Sequence, residues 1–152
     1  LANSGIPLFV KSFLKPEAAG TKIFQLGKQN PIPTIVLKQN QILVTFRVTD
    51  FTFIEEEQIH TIYEQLNVLK LRVNFLQTSA ISVSIIIDQQ LFKLEQLVNS
   101  LKNKFIIRYN EGLELLTVLH PDRKDFSDLN PGYEILLEQS TRNTVQFVRR
   151  KE

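Results

Sequence analysis

The acidic triplet Glu55-Glu56-Glu57 is the densest run of chemically active side chains in this sequence. Carboxylates in series can hold a metal ion or the ammonium group of a ligand. The triplet also stands where a helix is predicted to begin, and acidic side chains in a first turn interact favourably with the helix dipole. We therefore interpret the triplet as the start of a helix, which needs no ligand.

The two histidines and a later acidic run give no catalytic or metal-binding constellation. His60 and His120 lie far apart without a nearby nucleophile, so they predict neither a hydrolase triad nor a zinc site. Asp122, Asp125 and Asp128 lack the glycine and the terminal glutamate of an EF-hand loop. The sequence has no cysteine, which excludes disulfides and thiol catalysis, and its five glycines form no phosphate-binding loop.

The composition predicts a globular piece of a larger cytoplasmic protein. Hydrophobic residues make up 43% of the sequence, so we expect a packed core. A net charge of +2 does not favour a nucleic-acid partner. No apolar run approaches the roughly 20 residues that span a bilayer, so we expect no membrane partner. The absence of methionine suggests a fragment, and the absence of cysteine and of a secretory signal fits the cytoplasm.

Apolar periodicity predicts the order strand, helix, strand, strand, helix, strand over residues 39–110. Apolar and other residues alternate along Ile42 to Val48, which predicts a strand with one buried face. A first helix is predicted to start at Thr52, which has capping-box spacing, and a second runs from Leu91 to Leu101. Two strands lie between them, and another covers Phe105 to Tyr109. This order is the ferredoxin-like arrangement, an α+β fold with both helices on one face of an antiparallel sheet.

The sequence on either side predicts a connector and an incomplete second module. Residues 1–38 read as extended and irregular, because proline and glycine interrupt them. Asn110-Glu111-Gly112 predicts a tight turn. Three strands over 111–152 then form a second, degenerate module that lacks helices. Because such a sheet is marginally stable alone, we expect it to pair with the first module or with another chain.

Segments along most of the chain resemble, in order, the C-terminal regulatory region of aspartate kinase, a tandem of ACT modules. They are the Ile-Pro strand with its Pro-Glu and Gly-Thr at Ile6 to Thr21, the strand Asn40 to Thr45, the Thr-Ser hairpin Thr78 to Ser84, the strand Glu111 to Val118, and the last hairpin Glu138 to Val148. The lysine-sensitive branch is the most similar. The resemblance implies the end of the kinase domain and a linker over 1–38, ACT module 1 over 39–110, and a partial ACT module 2 over 111–152.

The resemblance implies a regulatory part that is not itself an enzyme. In the family, the kinase domain uses ATP and Mg²⁺ to phosphorylate the side chain of aspartate, the first step towards lysine, threonine and methionine. This sequence lacks the Lys-hydrophobic-Gly-Gly-Ser-type segment that binds ATP phosphates, so we expect no catalytic residue and no cofactor in this chain. The implied partners are a second copy through the ACT modules, the chain's own kinase domain, and an amino-acid effector, lysine or threonine.

The resemblance also implies an effector site near the loop after the first strand of module 1. Its residues are Asp50, Phe51, Thr52, Phe53, Ile54, Val73, Asn74, Thr78 and Ser79. Asn74 stands where lysine-binding members have aspartate, and Ala80 stands where they have glutamate. Loss of a buried charged partner costs about 2 to 5 kcal/mol. Two hypotheses therefore stay open, namely a site adapted to another effector and a site that has lost its ligand.

Two further functions compete with the regulatory one. A ligand-free structural dimerisation module would explain the loss of both acids, at positions 74 and 80. An RNA-binding domain has the same strand order, but it needs aromatic residues on its open sheet face. Ile81 to Ile87 carries serine, valine and isoleucine there, so the sequence disfavours RNA binding.

Overall fold

The computed structural model describes residues 6–23, 32–49, 53–121 and 126–152. The chain forms two compact units, Leu1–Ile32 and Pro33–Glu152.

The first unit contains a short antiparallel hairpin. Its strands are β1 (Leu8–Val10) and β2 (Thr21–Ile23), whose side chains are exposed. Gly20 precedes β2 with a φ of +70°, and a side chain at this position would clash with the carbonyl oxygen of Val10. Glycine is therefore required at this turn. The Ile-Pro segment therefore contains a paired strand, whereas the sequence predicted an irregular connector at this position.

The second unit is a six-stranded antiparallel sheet with two helices. Its elements in chain order are β3 (Thr34–Val48), α1 (Glu56–Val68), β4 (Val73–Thr78), β5 (Ser82–Asp88), α2 (Leu91–Leu101), β6 (Phe105–Leu119), β7 (Tyr133–Ser140) and β8 (Thr144–Lys151). The strand order is β4-β5-β3-β6-β8-β7, so β4 and β7 form the two edges. The order of elements from β3 to β6 confirms the predicted α+β, ferredoxin-like fold. Neither helix has the length and apolarity that crossing a membrane requires, within the residues described.

The main core lies between the two helices and one face of the sheet. Alternation along β3 turns Ile42, Val44 and Phe46 towards the helices, and all three are fully buried. Residues at helical spacing on α1 and α2 pack against them: Ile62, Leu66, Leu94, Leu97 and Leu101. Phe46 and Phe105 meet edge to face with ring centroids 6.0 Å apart, a favourable aromatic geometry.

Helix α1 begins later than the spacing of Thr52 suggests, and Thr52 itself lies outside the described residues. The N-cap is Glu55, whose backbone N–H donates to Gln58 Oε1 at 3.0 Å. This is a capping box shifted along the chain. Glu56 and Glu57 then occupy the first turn, which confirms the interpretation of the triplet as a helix start.

Strands β3 and β6 belong to both modules. Each has 15 residues, and they pair from Thr34 opposite Leu119 to Val48 opposite Phe105, with shifts of register on either side of Gln41. The second half of β6 also pairs with β8, and β8 pairs with β7. The degenerate second module is therefore completed by the first half of β3 in the same chain, which confirms one of its two expected pairings.

Two expectations from the sequence are wrong along these strands. Residues 34–38 belong to β3 and not to an irregular connector, and Asn110-Glu111-Gly112 continues β6 where a tight turn was expected. Gly112 has a φ of +67°, and it lies beside the irregular pairing of β6 with β3. Glycine is common at such irregularities because it tolerates a positive φ, so its presence here does not end the strand.

A loop formed by residues 126–132 closes the second module, which has no α-helix in the residues that the structure describes. Five buried residues form a small core beneath the loop: Leu116, Val118, Phe126, Val145 and Phe147. The rings of Phe126 and Phe147 meet with centroids 5.9 Å apart. A short 3-10 helix, Ser127–Leu129, follows Phe126. The first two acids of the predicted polar loop, Asp122 and Asp125, lie outside the described residues.

Arg149 anchors this loop to the sheet. Its buried guanidinium donates to Glu114 Oε2 at 3.0 and 3.2 Å, to Asn130 Oδ1 at 3.1 Å and to the carbonyl oxygen of Leu129. It also stacks on the ring of Tyr133, 3.9 Å from the centroid. Since the side chains of Arg149 and Glu114 are only 7% and 17% exposed, removal of Arg149 would leave the Glu114 carboxylate poorly solvated and without an ion-pair partner.

We expect Arg149→Ala to lower the free energy of unfolding by about 3 to 5 kcal/mol, as is typical when one partner of a buried ion pair is removed. Arg150→Ala is the matched control, because its ion pair with Glu134 is 47% and 52% exposed. Pairs of that kind contribute about 1 kcal/mol or less. Urea unfolding followed by circular dichroism measures both changes, and equal losses would contradict the role assigned to Arg149.

Candidate functional site

The implied effector residues that the structure describes lie at the two ends of β4. The group at its C-terminal end and the nearby loop comprises Phe53, Ile54, Thr78 and Ser79. The group at its start comprises Val73 and Asn74. The remaining three, Asp50, Phe51 and Thr52, lie outside the described residues. A strand rises about 3.3 Å per residue, so Asn74 and Ser79 are about 16 Å apart, and no small amino acid reaches both within one chain.

Hydrogen bonds join the loop and the β4–β5 hairpin at the C-terminal end of β4. The backbone N–H of Ile54 donates to the carbonyl oxygen of Ala80 at 2.8 Å. Ser79 Oγ accepts from the backbone N–H of Ser82 at 3.1 Å and lies 2.8 Å from Ser82 Oγ. The Ser79 hydroxyl therefore closes the hairpin turn, whereas Thr78 exposes its side chain at the sheet edge.

Asn74 belongs to a polar network at the start of β4. Its Oδ1 accepts from Lys38 Nζ at 2.8 Å, and its Nδ2 donates to Gln41 Oε1 at 2.9 Å and to Asp88 Oδ1 at 2.8 Å. Gln41 is 2% exposed and donates to Asp88 Oδ1 at 3.0 Å. The register of β4 shifts at Asn74, and such a bulge re-aims a side chain, here towards Gln41.

Sequence reasoning identified Asn74 but missed its three partners. Gln41 is a polar residue beside a run of apolar ones, and Asp88 directly ends the apolar strand β5. A polar residue in such a position signals a buried hydrogen-bond partner. No buried side-chain nitrogen or oxygen in the described ranges lacks a partner. Loss of the Asn74 amide would therefore leave Gln41 Oε1 unpaired, at a cost of about 1 to 3 kcal/mol.

The network lowers the pKa of the Asp88 carboxyl below its ordinary value of 3.8. The hydrogen bond from Gln41 is the main cause, and partial burial opposes it. The hydrogen bond from Asn74 and the positive charges of Lys38 and Arg72 lower this pKa further. The folded chain thus keeps this carboxylate ionised at a pH where the unfolded chain has begun to protonate it.

This shift predicts a specific loss of stability in acid. The contribution of Asp88 is fully present above the pKa of the unfolded chain and is lost as the pH falls through the lower pKa of the folded chain. We expect Asp88→Asn, which keeps an acceptor oxygen without the charge, to lose less stability than the unaltered chain between about pH 6 and pH 3. Urea unfolding at several pH values measures this loss. The exposed Glu95→Gln serves as the control, and an Asp88→Asn profile identical to it would contradict the prediction.

Asn74 also lines two cavities. The larger, about 820 Å³, is bounded by α1 and β4, and His60, Tyr63 and Asn67 are among its lining residues. The smaller, about 240 Å³, joins the start of β4 to β3, β6 and β8. No group of three or more histidine, aspartate or glutamate side chains that could hold a metal ion occurs within the described residues.

No protein-family model matches this sequence, and no curated protein matches it. Solved structures do share its fold. Aspartokinase III of E. coli, solved with lysine and aspartate, superposes with a TM-score of 0.74 at 20% identity, over 97% of this chain and 36% of that chain. The aspartate kinase of Clostridium acetobutylicum gives a TM-score of 0.73 at 18% identity, over 98% of this chain and 39% of that chain.

A separately solved domain matches over most of its own length. It is described as a C-terminal regulatory domain of aspartate kinase from Porphyromonas gingivalis, with a TM-score of 0.63 at 13% identity, over 79% of this chain and 86% of that chain. This chain therefore spans little more than a third of the whole kinases and most of the separate domain. These likenesses confirm that the chain has the fold implied by its resemblance to aspartokinase regulatory regions.

Proposed function

We propose that this chain is the C-terminal regulatory part of an aspartate kinase. The agreement of its fold with a separately solved regulatory domain, over 79% of this chain, is the observation that carries the proposal. The parent enzyme would use ATP and Mg²⁺ to phosphorylate aspartate in the cytoplasm. Its kinase domain would supply every catalytic group, and this part would set its activity.

In this proposal two copies associate through the edge strand β4. Within the described residues β4 pairs only with β5, so its outer N–H and C=O groups can extend the sheet. A two-fold antiparallel pairing centred on Leu76 would set Asn74 opposite the partner's Thr78 and Val73 opposite the partner's Ser79. The two groups of implied effector residues lie apart in one chain. In the dimer, each group would lie beside the other group of the partner, which forms two equivalent junctions.

An amino-acid effector, lysine or threonine, would bind at these two junctions. Lysine is bound in the E. coli aspartokinase III structure. In this chain the amide oxygen of Asn74 already accepts from Lys38 Nζ, so the ammonium of a lysine ligand would meet a cation where it needs an acceptor. Threonine carries no side-chain charge and avoids this conflict. Binding at the junction would favour one arrangement of the dimer and thereby act on the kinase domain.

A ligand-free dimerisation module is the second candidate function. Both the oxygen and the nitrogen of the Asn74 amide are engaged within the chain, by Lys38, Gln41 and Asp88. The Ser79 hydroxyl closes its own hairpin. A module whose polar groups are already satisfied needs no effector to order them.

The edge pairing predicts that Thr78→Lys yields a monomer. The new lysine would lie opposite the partner's Asn74, beside the cation of the partner's Lys38, and lysine on an edge strand opposes sheet extension. Ser140→Lys is the matched control, because it adds the same charge to β7, the opposite edge. Light scattering should report a dimer for the unaltered chain and the control. A dimer for Thr78→Lys would contradict the β4 interface.

Thermal shifts of the same samples separate the two candidate functions. An effector at 100 times its dissociation constant adds about 2.7 kcal/mol to the stability of the folded state. We expect a shift with threonine, a smaller one with lysine, and neither in the Thr78→Lys monomer. A stable dimer without any shift would favour the ligand-free module instead.

A further inference from the structure

We propose that the smaller cavity, which we name the Lys38–Arg72 cleft, binds a small oxyanion, that is, a carboxylate or a phosphate group. The cleft has a volume of about 240 Å³. Its polar lining residues are Lys38, Arg72, Asn74, Thr117 and Gln146. They come from both modules of one chain, so the site needs no second copy. The inference goes beyond the proposed effector site, with which the cleft shares only Val73 and Asn74.

Two cations give the cleft its charge. Lys38 Nζ is fixed by its hydrogen bond to Asn74 Oδ1 at 2.8 Å and lies 3.7 Å from Asp88 Oδ1. Arg72 makes no hydrogen bond or salt bridge to any other residue that the structure describes. Within the part of the chain that the structure describes, its guanidinium donors are therefore available for a ligand. Among the described residues Asp88 is the neighbouring carboxylate, and two cations against this one anion give the cleft a net positive charge.

Thr117 and Gln146, which are register partners on β6 and β8, add neutral donors to the lining. Gln146 Nε2 donates to Thr117 Oγ1 at 3.2 Å. Because that oxygen already accepts a hydrogen bond, the hydroxyl proton points away from Gln146 and can be donated to a ligand. The amide of Gln146 retains a second N–H. A guanidinium fork together with a hydroxyl and an amide in the same lining is a donor set that suits the several oxygens of a carboxylate or a phosphate.

The cleft is sized for a small ligand and partly ordered before one binds. Pockets for larger organic ligands occupy about 300 to 1,000 Å³, so this volume fits an oxyanion with a short apolar body. Val36 and Leu115 provide an apolar wall for that body. Lys38 is already hydrogen-bonded to Asn74, and Thr117 to Gln146. Little conformational entropy is therefore lost when these side chains are ordered by a ligand.

Calorimetric titration of the whole 152-residue chain with phosphate and with succinate tests this proposal. Sodium chloride keeps the ionic strength constant, because general attraction between charges falls with salt. We expect saturable binding, and the anion that binds more tightly identifies the group preferred. Arg72→Gln, which breaks no hydrogen bond described, should weaken binding about tenfold or more, as the loss of a charge-assisted bond does.

The matched control is Arg108→Gln, which removes the same charge from an exposed position on β6 outside the cleft. It should change the affinity less than about twofold. Thr117→Val should weaken binding without changing the net charge, and thermal melts show that each variant is folded. The Thr78→Lys chain should still bind, which separates this test from that of the dimer. No saturable binding, or equal losses in Arg72→Gln and Arg108→Gln, would overturn the proposal.

Discussion

The antiparallel pairing of β3 with β6 is the constraint on which the second unit depends. Each strand has 15 residues and continues through both modules. β5 and β4 extend the sheet on one side of the pair, and β8 and β7 extend it on the other. The register shifts near Gln41 mark the change from one module to the next. Lys38 lies directly before this shift and donates to Asn74, so the polar network lies where the strand pairing changes register.

The sequence predicted those parts of the fold in which one face is buried. Alternation along Ile42 to Val48 and leucine spacing along Leu91 to Leu101 arise because a one-sided core selects apolar residues at a fixed period. The first residues of β3 show no apolar alternation, because residues 35–37 are all exposed and their strand partner lies far along the chain. Gly112 signals a turn locally, and only the tertiary pairing makes it part of a strand. The resemblance likewise found Asn74, whereas Arg72 and Gln146 become neighbours only in the folded chain.

The two modules protect their apolar faces by different means. In the first, α1 and α2 cover the sheet with leucine and isoleucine side chains. In the second, a short loop lies over the small core, and Arg149 secures it through Glu114 and Asn130. A helix supplies its cover through many weak apolar contacts, whereas the loop relies on a few directional bonds that must all be satisfied. The second module therefore tolerates less change at single positions.

The pairing of Thr34 with Leu119 also fixes the order in which a growing chain can fold. The first module has all its strands once Tyr109 has emerged from the ribosome. The start of β3 must wait for residues 115–119, and until then Ile35 and its apolar neighbours have no partner strand. An apolar strand without a partner in a nascent chain promotes aggregation and incorrect strand pairing. The earliest strand of the sheet is thus among the last to close, and a nascent chain that pauses after the first module is at its most vulnerable.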